Sequence, residues 1–338
     1  MSQLIFFVII TALGTLVGKW TNINPVEQPI FSPFTTFALV VGLYSSVVGI
    51  DLGAIRQRRW LAIIVITIAV PVQILASGAV MYLIYPAAIS FLLAVAMTQI
   101  DPLSVDTLLQ DKESMSEEAK GILRVWASFD DPVTVLFGFL ILLPLITGQA
   151  IEGNAGSMLV GLLANVGVAV LLWALGKWTK IFESTAVTLA ALLLTLTFAF
   201  FTQAFLLAAI TGLLLRPLPE KYLGNLTAVL YYGIVFVVGM AMYTYGIDLR
   251  LGFLLAVVGY FVIQPLTTIL VFSGSAKDLL RIAFAQQNGL TTLLMGIAFQ
   301  NLGFEVLHIL LPAIIITNLF NLLVNKVLSW KEAKGFIV

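Results

Sequence analysis

The sequence contains no cysteine and a single histidine, His308. Disulfide frameworks, thiolate zinc sites, iron–sulfur clusters and cysteine nucleophiles are thereby excluded, and one imidazole is too few for a histidine-rich metal site. Charge is scarce as well: Asp, Glu, Lys and Arg make up 10% of the residues, where soluble domains carry about 25%. The 17 basic side chains balance 17 acidic ones, so no basic surface exists to hold nucleic acid. The N-terminus lacks a basic stretch followed by a small-residue cleavage site, and its first apolar run reads as a retained span. What the chain has in excess is apolar surface, with 60% hydrophobic residues and a mean hydropathy of +1.07. Such a chain belongs in a lipid bilayer, and nothing in it calls for a cofactor or a soluble enzyme domain.

A helix needs about 20 apolar residues to cross the ~30 Å hydrocarbon layer. Short polar breaks divide the sequence into pieces near that length, at residues 4–18, 30–50, 60–84, 86–109, 121–147, 154–176, 184–201, 203–215, 225–245, 251–272, 279–300 and 306–326. The segment from Ser184 to Leu215 is long for one helix and short for two. Charge decides it: with two spans there, every Lys and Arg except Lys19 and Arg250 falls on one side of the membrane, whereas a single span leaves the basic residues almost evenly divided. The positive-inside rule therefore selects twelve spans with both termini cytoplasmic, and an inner (plasma) membrane location follows as the expectation. The charged stretch from Asp111 to Lys120 is then a solvated cytoplasmic loop.

Two parts of the chain repeat. Gly49-Ile50-Asp51-Leu52 ends the second span and Gly246-Ile247-Asp248-Leu249 the ninth; Pro71 and Pro265 follow inside the third and tenth; Gln99-Ile100-Asp101-Pro102 in the fourth is matched by Gln287-Asn288-Gly289 in the eleventh. Copies seven spans apart cross the bilayer in opposite directions, which is the inverted-topology repeat of many secondary transporters. The expected division is a first repeat over about 1–150, linking spans over about 151–200 and a second repeat over about 201–330, with an ion-site core at about 60–147 and 251–326. Pro102 removes a backbone donor and Gly289 tolerates unwound backbone. Broken helices at mid-membrane survive only where protein or a water-filled cavity surrounds them, so the two breaks are expected to cross, with freed carbonyls and half-helix ends facing an ion.

The most informative string is Ser128-Phe129-Asp130-Asp131-Pro132 in the fifth span. The two acids sit about ten residues in, roughly 15 Å deep at 1.5 Å per residue. With Asp101 they would cost roughly 8 to 10 kcal/mol if left unpaired in lipid. Burial and like charge both oppose holding adjacent negative charges, so the site needs protons or a cation. Thr98, Ser104 and Ser128 add hydroxyl oxygens, and an all-oxygen donor set suits a small hard ion, Na⁺ or Li⁺, held by Asp131, Asp130 and Asp101.

With these residues the chain resembles the monovalent cation/proton antiporter superfamily, and specifically the bacterial sodium/proton antiporters of the twelve-span type. The likeness rests on Asp130-Asp131, on Thr98 with Asp101-Pro102, on the string GLLLRP at 212–217 and on VGMAMYTYGIDL at 238–249. It implies an all-α integral membrane fold with two crossed broken helices, a mobile core bundle, an interface domain and a homodimer. It further implies that Asp131 is the main carrier of cation and proton and Asp130 its assistant. Members of that superfamily commonly place a Lys before the tenth-span Pro; this chain has Gln264, which makes the stoichiometry an open expectation. Arg124 and Asp106 are a candidate modulating pair at the cytoplasmic entrance.

The reading that follows is exchange of Na⁺ or Li⁺ for H⁺ by alternating access, as a transporter and not an enzyme. A sodium-coupled organic-anion symporter of bile-acid type is the alternative, suggested by Gln286, Gln287 and Asn288 at the eleventh-span break. An intramembrane aspartyl protease is disfavoured because no Gly-x-Gly-Asp string occurs, and a channel because a pore needs no inverted repeat of interrupted helices. Gly14 and Gly18 form a small-xxx-small pair suited to close helix packing.

Overall fold

The computed structural model describes residues 2–48, 59–100, 105, 115–148, 155–179 and 181–334. Among them the chain is helical throughout, with no strand: α1 Ser2–Thr21, α2 Phe31–Val48, α3 Arg59–Ile84, α4 Ile89–Met97, α5 Glu117–Ile146, α6 Ala155–Thr179, α7 Thr185–Thr202, α8 Phe205–Leu214, α9 Glu220–Tyr245, α10 Leu249–Val271, α11 Ala276–Ala283, α12 Leu290–Asn301 and α13 Leu307–Ala333. Eight of these, namely α1, α2, α3, α5, α7, α9, α10 and α13, are long and apolar enough to cross a membrane. The other stretches read as spans fall on the interrupted α4 and α11–α12, on α6 and on the ten-residue α8.

The segment that the charge distribution divides in two is divided at Gln203. That residue adopts a left-handed conformation, φ 54° and ψ 31°, which ends α7, and α8 starts two residues on. The Asn165 side-chain oxygen accepts the Leu207 N–H at 2.8 Å, supplying one of the partners that a helix start lacks.

Three of the long helices contain one π turn each, over Val65–Ala69, Phe137–Leu142 and Val258–Ile263. Each ends two residues before a proline: Pro71, Pro144 and Pro265. A proline ring clashes with the carbonyl four residues back and donates no N–H. Those carbonyls belong to Thr67, Leu140 and Phe261, all inside the π turns, where the wider winding carries them past the ring. Helices α3 and α10, the repeat-related third and tenth spans, pack against each other through these turns.

Close packing elsewhere depends on glycine. A Cβ on Gly14 would stand 2.2 Å from the Phe236 carbonyl, one on Gly18 2.6 Å from that of Met240, and one on Gly239 2.4 Å from that of Thr11. The small-residue pair thus lets α1 and α9 approach backbone to backbone. Outward faces are apolar: Leu16, Leu193, Leu194 and Phe198 are exposed on α1 and α7, a surface suited to lipid and not to water.

Candidate functional site

Asp130 and Asp131 lie mid-way along α5, both buried, at 0% and 2% exposure. Pro132 follows at once and donates no N–H, so the Ser128 carbonyl loses its ordinary helical donor. The Thr134 hydroxyl turns back to the Asp130 and Asp131 carbonyls at 2.8 and 2.9 Å. The two carboxylates reach different neighbours. Asp130 Oδ2 accepts the Ile100 N–H at 2.7 Å, immediately after α4 ends. Asp131 Oδ2 accepts the Thr291 hydroxyl at 2.9 Å, in the first turn of α12. Adjacent acids are therefore bound to the two different interrupted spans.

Those spans meet. Helix α4 stops at Met97, and the chain between α11 and α12 runs unwound from Phe284 to Gly289. Asn288 donates from Nδ2 to the carbonyls of Met97 at 3.0 Å and Gln99 at 3.3 Å. The Gln286 amide also donates to the Met97 carbonyl, and Gln73 on α3 donates to that of Thr98 at 3.4 Å. The carbonyls released at residues 97–99 accept from side-chain amides. Burial explains it, because an unpartnered carbonyl away from water costs about 1–3 kcal/mol.

A second layer ties the crossing together. Gln99 donates to Thr134 Oγ1 at 2.7 Å and accepts from the Thr292 hydroxyl at 3.1 Å, linking the fourth, fifth and eleventh spans. Gln264, fully buried at the start of the proline-bearing turn of α10, accepts from the Gln73 amide. The residue standing where a Lys is common thus bonds across to the third span. Several buried polar atoms of this cluster have no hydrogen-bond partner among the described residues: Asp130 Oδ1, Gln73 Oε1, Gln286 Oε1 and Asn288 Oδ1.

The remaining predicted residues are placed as follows. Thr98 is buried and its hydroxyl returns to the Val95 carbonyl at 3.4 Å, the self-bonding common for Thr in membrane helices. Ser128 is half-buried one turn before Asp131, Gln287 half-buried, Gly289 extended at φ −120° and Arg124 exposed. Asp101, Pro102, Ser104 and Asp106 lie outside the described residues, as do Gly49 to Leu52 of the first repeat. Among the described residues no three His, Asp or Glu side chains gather to hold a metal, so the triad of Asp131, Asp130 and Asp101 rests on a residue that is not described. In the second repeat Asp248 caps α10, accepting the Leu251 N–H at 2.9 Å.

Sequence reasoning missed Thr291, Thr292, Gln73 and three asparagines of α13. Asn318 exchanges two bonds with the Asn288 backbone, and Asn321 donates to the Phe284 and Gln286 carbonyls at 3.1 Å each. The signal was present as Asn318, Asn321 and Asn325, polar residues on one face of an apolar helix,. A separate cavity of about 170 Å³ lies between Thr35 on α2, Phe139 on α5, Gln203 and Asn301.

The family model described as "Sodium/hydrogen exchanger, transmembrane" matches residues 4–215. Among solved structures, the chain is similar to the sodium proton antiporter MjNhaP1 from Methanocaldococcus jannaschii at pH 8, with a TM-score of 0.65 and 18% identity, covering 96% of this chain and 90% of that one. An electron-microscopy structure of the same antiporter gives a TM-score of 0.59 at 17% identity, covering 96% and 89%. No curated protein matches the chain.

Proposed function

We propose that this chain, which belongs to the sodium/hydrogen exchanger family and exchanges Na⁺ for H⁺ across the membrane, does so at Asp131, assisted by Asp130. The observation that carries the assignment is two adjacent buried carboxylates, one bound to each interrupted span. A cation at Asp131 is held in this reading by its carboxylate, the Thr291 hydroxyl and Asp130 Oδ1, which has no hydrogen-bond partner among the described residues. A proton arriving there occupies the same atoms. Each therefore displaces the other, and exchange follows from competition for one set of oxygens, with no separate gate chemistry. Asp101, Ser104 and Ser128 complete the donor set in this reading, and the Thr98 hydroxyl, bonded back to Val95, is a secondary donor through its oxygen lone pairs,.

Movement supplies the rest. The core bundle at about 60–147 and 251–326 shifts against the remaining spans and opens the site to either side in turn. Twelve spans and cytoplasmic termini belong to the same proposal, supported by the side to which the Lys and Arg residues fall, and a plasma-membrane location and a homodimer join it on the resemblance alone. Arg124 is exposed near the cytoplasmic end of α5 and is proposed to pair with Asp106 there. Gln264 cannot supply the positive charge that a Lys would bring to the acids. Li⁺, also a small oxygen-seeking ion, is expected to substitute for Na⁺.

The test is transport by reconstituted protein in vesicles carrying a pH gradient. Asp131→Asn is expected to insert and fold, and to lose at least about 100-fold of Na⁺-dependent proton flux, since the titrating group that carries both ions is gone. Wild-type flux from that variant would defeat the assignment.

A further inference from the structure

The backbone between α11 and α12 has no helical partners of its own for the carbonyls of Phe284, Gln286 and Asn288. All three are met by side chains of α13. Asn318 makes a closed pair with Asn288: its Oδ1 accepts the Asn288 N–H at 2.9 Å and its Nδ2 donates to the Asn288 carbonyl at 3.0 Å. One turn on, Asn321 bridges the Phe284 and Gln286 carbonyls. Asn325 donates to the Asn321 carbonyl at 2.9 Å and to that of Phe284 at 3.4 Å. Beyond it, Arg281 of α11, 2% exposed, forks onto Glu332 at 2.9 and 2.7 Å and reaches Asn325 and Ser329. Positions 318, 321, 325, 329 and 332 recur every three or four residues, which places them on one helix face.

This row does more than satisfy buried groups. The residue clamped by Asn318 is the one whose own side chain holds the Met97 and Gln99 carbonyls. Three residues further, Thr291 donates to Asp131. Only Gly289 separates Asn288 from Leu290, where α12 begins. A shift of Asn288 by a fraction of an ångström therefore moves the Thr291 hydroxyl relative to the carboxylate.

We propose that the asparagine row on α13, and Asn318 and Asn321 in particular, are positioning residues that set cation affinity at Asp131 through the unwound segment of the eleventh span. This rests on the assignment of Asp131 as the ion site. A purely structural row predicts a different outcome on mutation: fewer active molecules, each with unchanged affinity.

Asn318→Ser is small, polar and compatible with a membrane helix, yet too short to make both bonds to Asn288. Asn321→Ser likewise reaches at most one of its two carbonyls. In proteoliposomes at fixed pH, Asn318→Ser is expected to raise the KM for Na⁺ on the order of tenfold and Asn321→Ser about threefold. Both are expected to change the ratio of Na⁺ to Li⁺ KM while turnover per folded molecule stays within about twofold. Folded protein is counted by gel filtration and thermal melting, so a loss of material cannot pass for a loss of affinity. Wild-type KM and ion ratio in the folded fraction of both variants would overturn the proposal. Asp131→Asn measured alongside separates the two layers of the argument. Exchange persisting in Asp131→Asn overturns the site itself, whereas a silent Asp131→Asn beside unmoved KM values in the serine variants overturns only the role of the row.

Discussion

The fourth-span break and the eleventh-span break hold their loose backbone by different means. At the first, the carbonyls of Met97, Thr98 and Gln99 accept from Gln286, Asn288 and Gln73, side chains that stand on two other spans. At the second, Phe284, Gln286 and Asn288 accept from asparagines of the single helix α13, with the Tyr260 hydroxyl adding a bond to Phe284 at 3.1 Å. The first break is shared between the third and eleventh spans, and the second is fixed chiefly to α13, with one bond from α10. The acids follow the same division, Asp130 on the shared side and Asp131 on the fixed side.

The largest effect should come from cutting the shared side at its acid. Asp130→Leu leaves the buried Ile100 N–H without an acceptor, which costs about 1–3 kcal/mol, and removes one of two charges. Loss of exchange together with a lower melting temperature is expected, whereas Asp130→Asn, which keeps an acceptor for that N–H, should retain the melting temperature and about a tenth of the flux. Equal melting temperatures for the two variants would show that Ile100 is not held by Asp130.

A paired substitution sharpens the comparison further. Thr291→Val removes a hydroxyl that donates to a carboxylate, a bond worth about 1.5–3 kcal/mol, and the Na⁺ KM should rise on the order of tenfold. Thr98→Val removes a hydroxyl that returns to its own helix, so the KM should move by less than about twofold. Thr98 showing the larger change would transfer cation contact to the fourth span and reverse the assignment.

The smallest effect lies at the start of the eleventh span. Asp278 stands in the first turn of α11, ahead of the apolar run, and its Oδ1 accepts the Ser116 N–H at 2.9 Å, tying α11 to the start of α5. Burial pushes the Asp278 carboxyl up, but bonds from the Ser116 hydroxyl and N–H, the Ser275 hydroxyl and nearby Lys277 outweigh it and hold it below its ordinary value of 3.8. A carboxyl depressed on folding stabilises above the unfolded value and loses that contribution as pH falls through the lower folded value. The melting-temperature difference between the wild type and Asp278→Asn should accordingly be constant from pH 7 to about pH 5 and shrink only below about pH 3.8. A difference that shrinks near neutrality would mean some other group is responsible.

The charged heart of the site was legible in the sequence because charge in an apolar run is conspicuous: Asp130 and Asp131 need no structure to be noticed. The division at Gln203 was legible for a related reason, since the distribution of Lys and Arg is a property of the whole chain. What the sequence hid is contact between distant residues. Asn288 on Met97 and Gln73 on Thr98 join positions 191 and 25 residues apart, and no local pattern marks an amide that will meet a carbonyl. Thr291 looked like any membrane threonine until α12 placed it against Asp131. The π turns before Pro71, Pro144 and Pro265 stayed hidden as well, because a proline shows that a helix must yield and not which winding it will take.

Proton release on cation binding tests the central claim most directly. In weakly buffered detergent solution near neutral pH, adding Na⁺ to the purified protein should liberate protons saturably, and choline at equal ionic strength should liberate none. Asp131→Asn should be silent in the same titration. Sodium-induced release of equal size from Asp131→Asn, or none from the wild type across pH 6 to 9, would contradict competition of the two ions for Asp131.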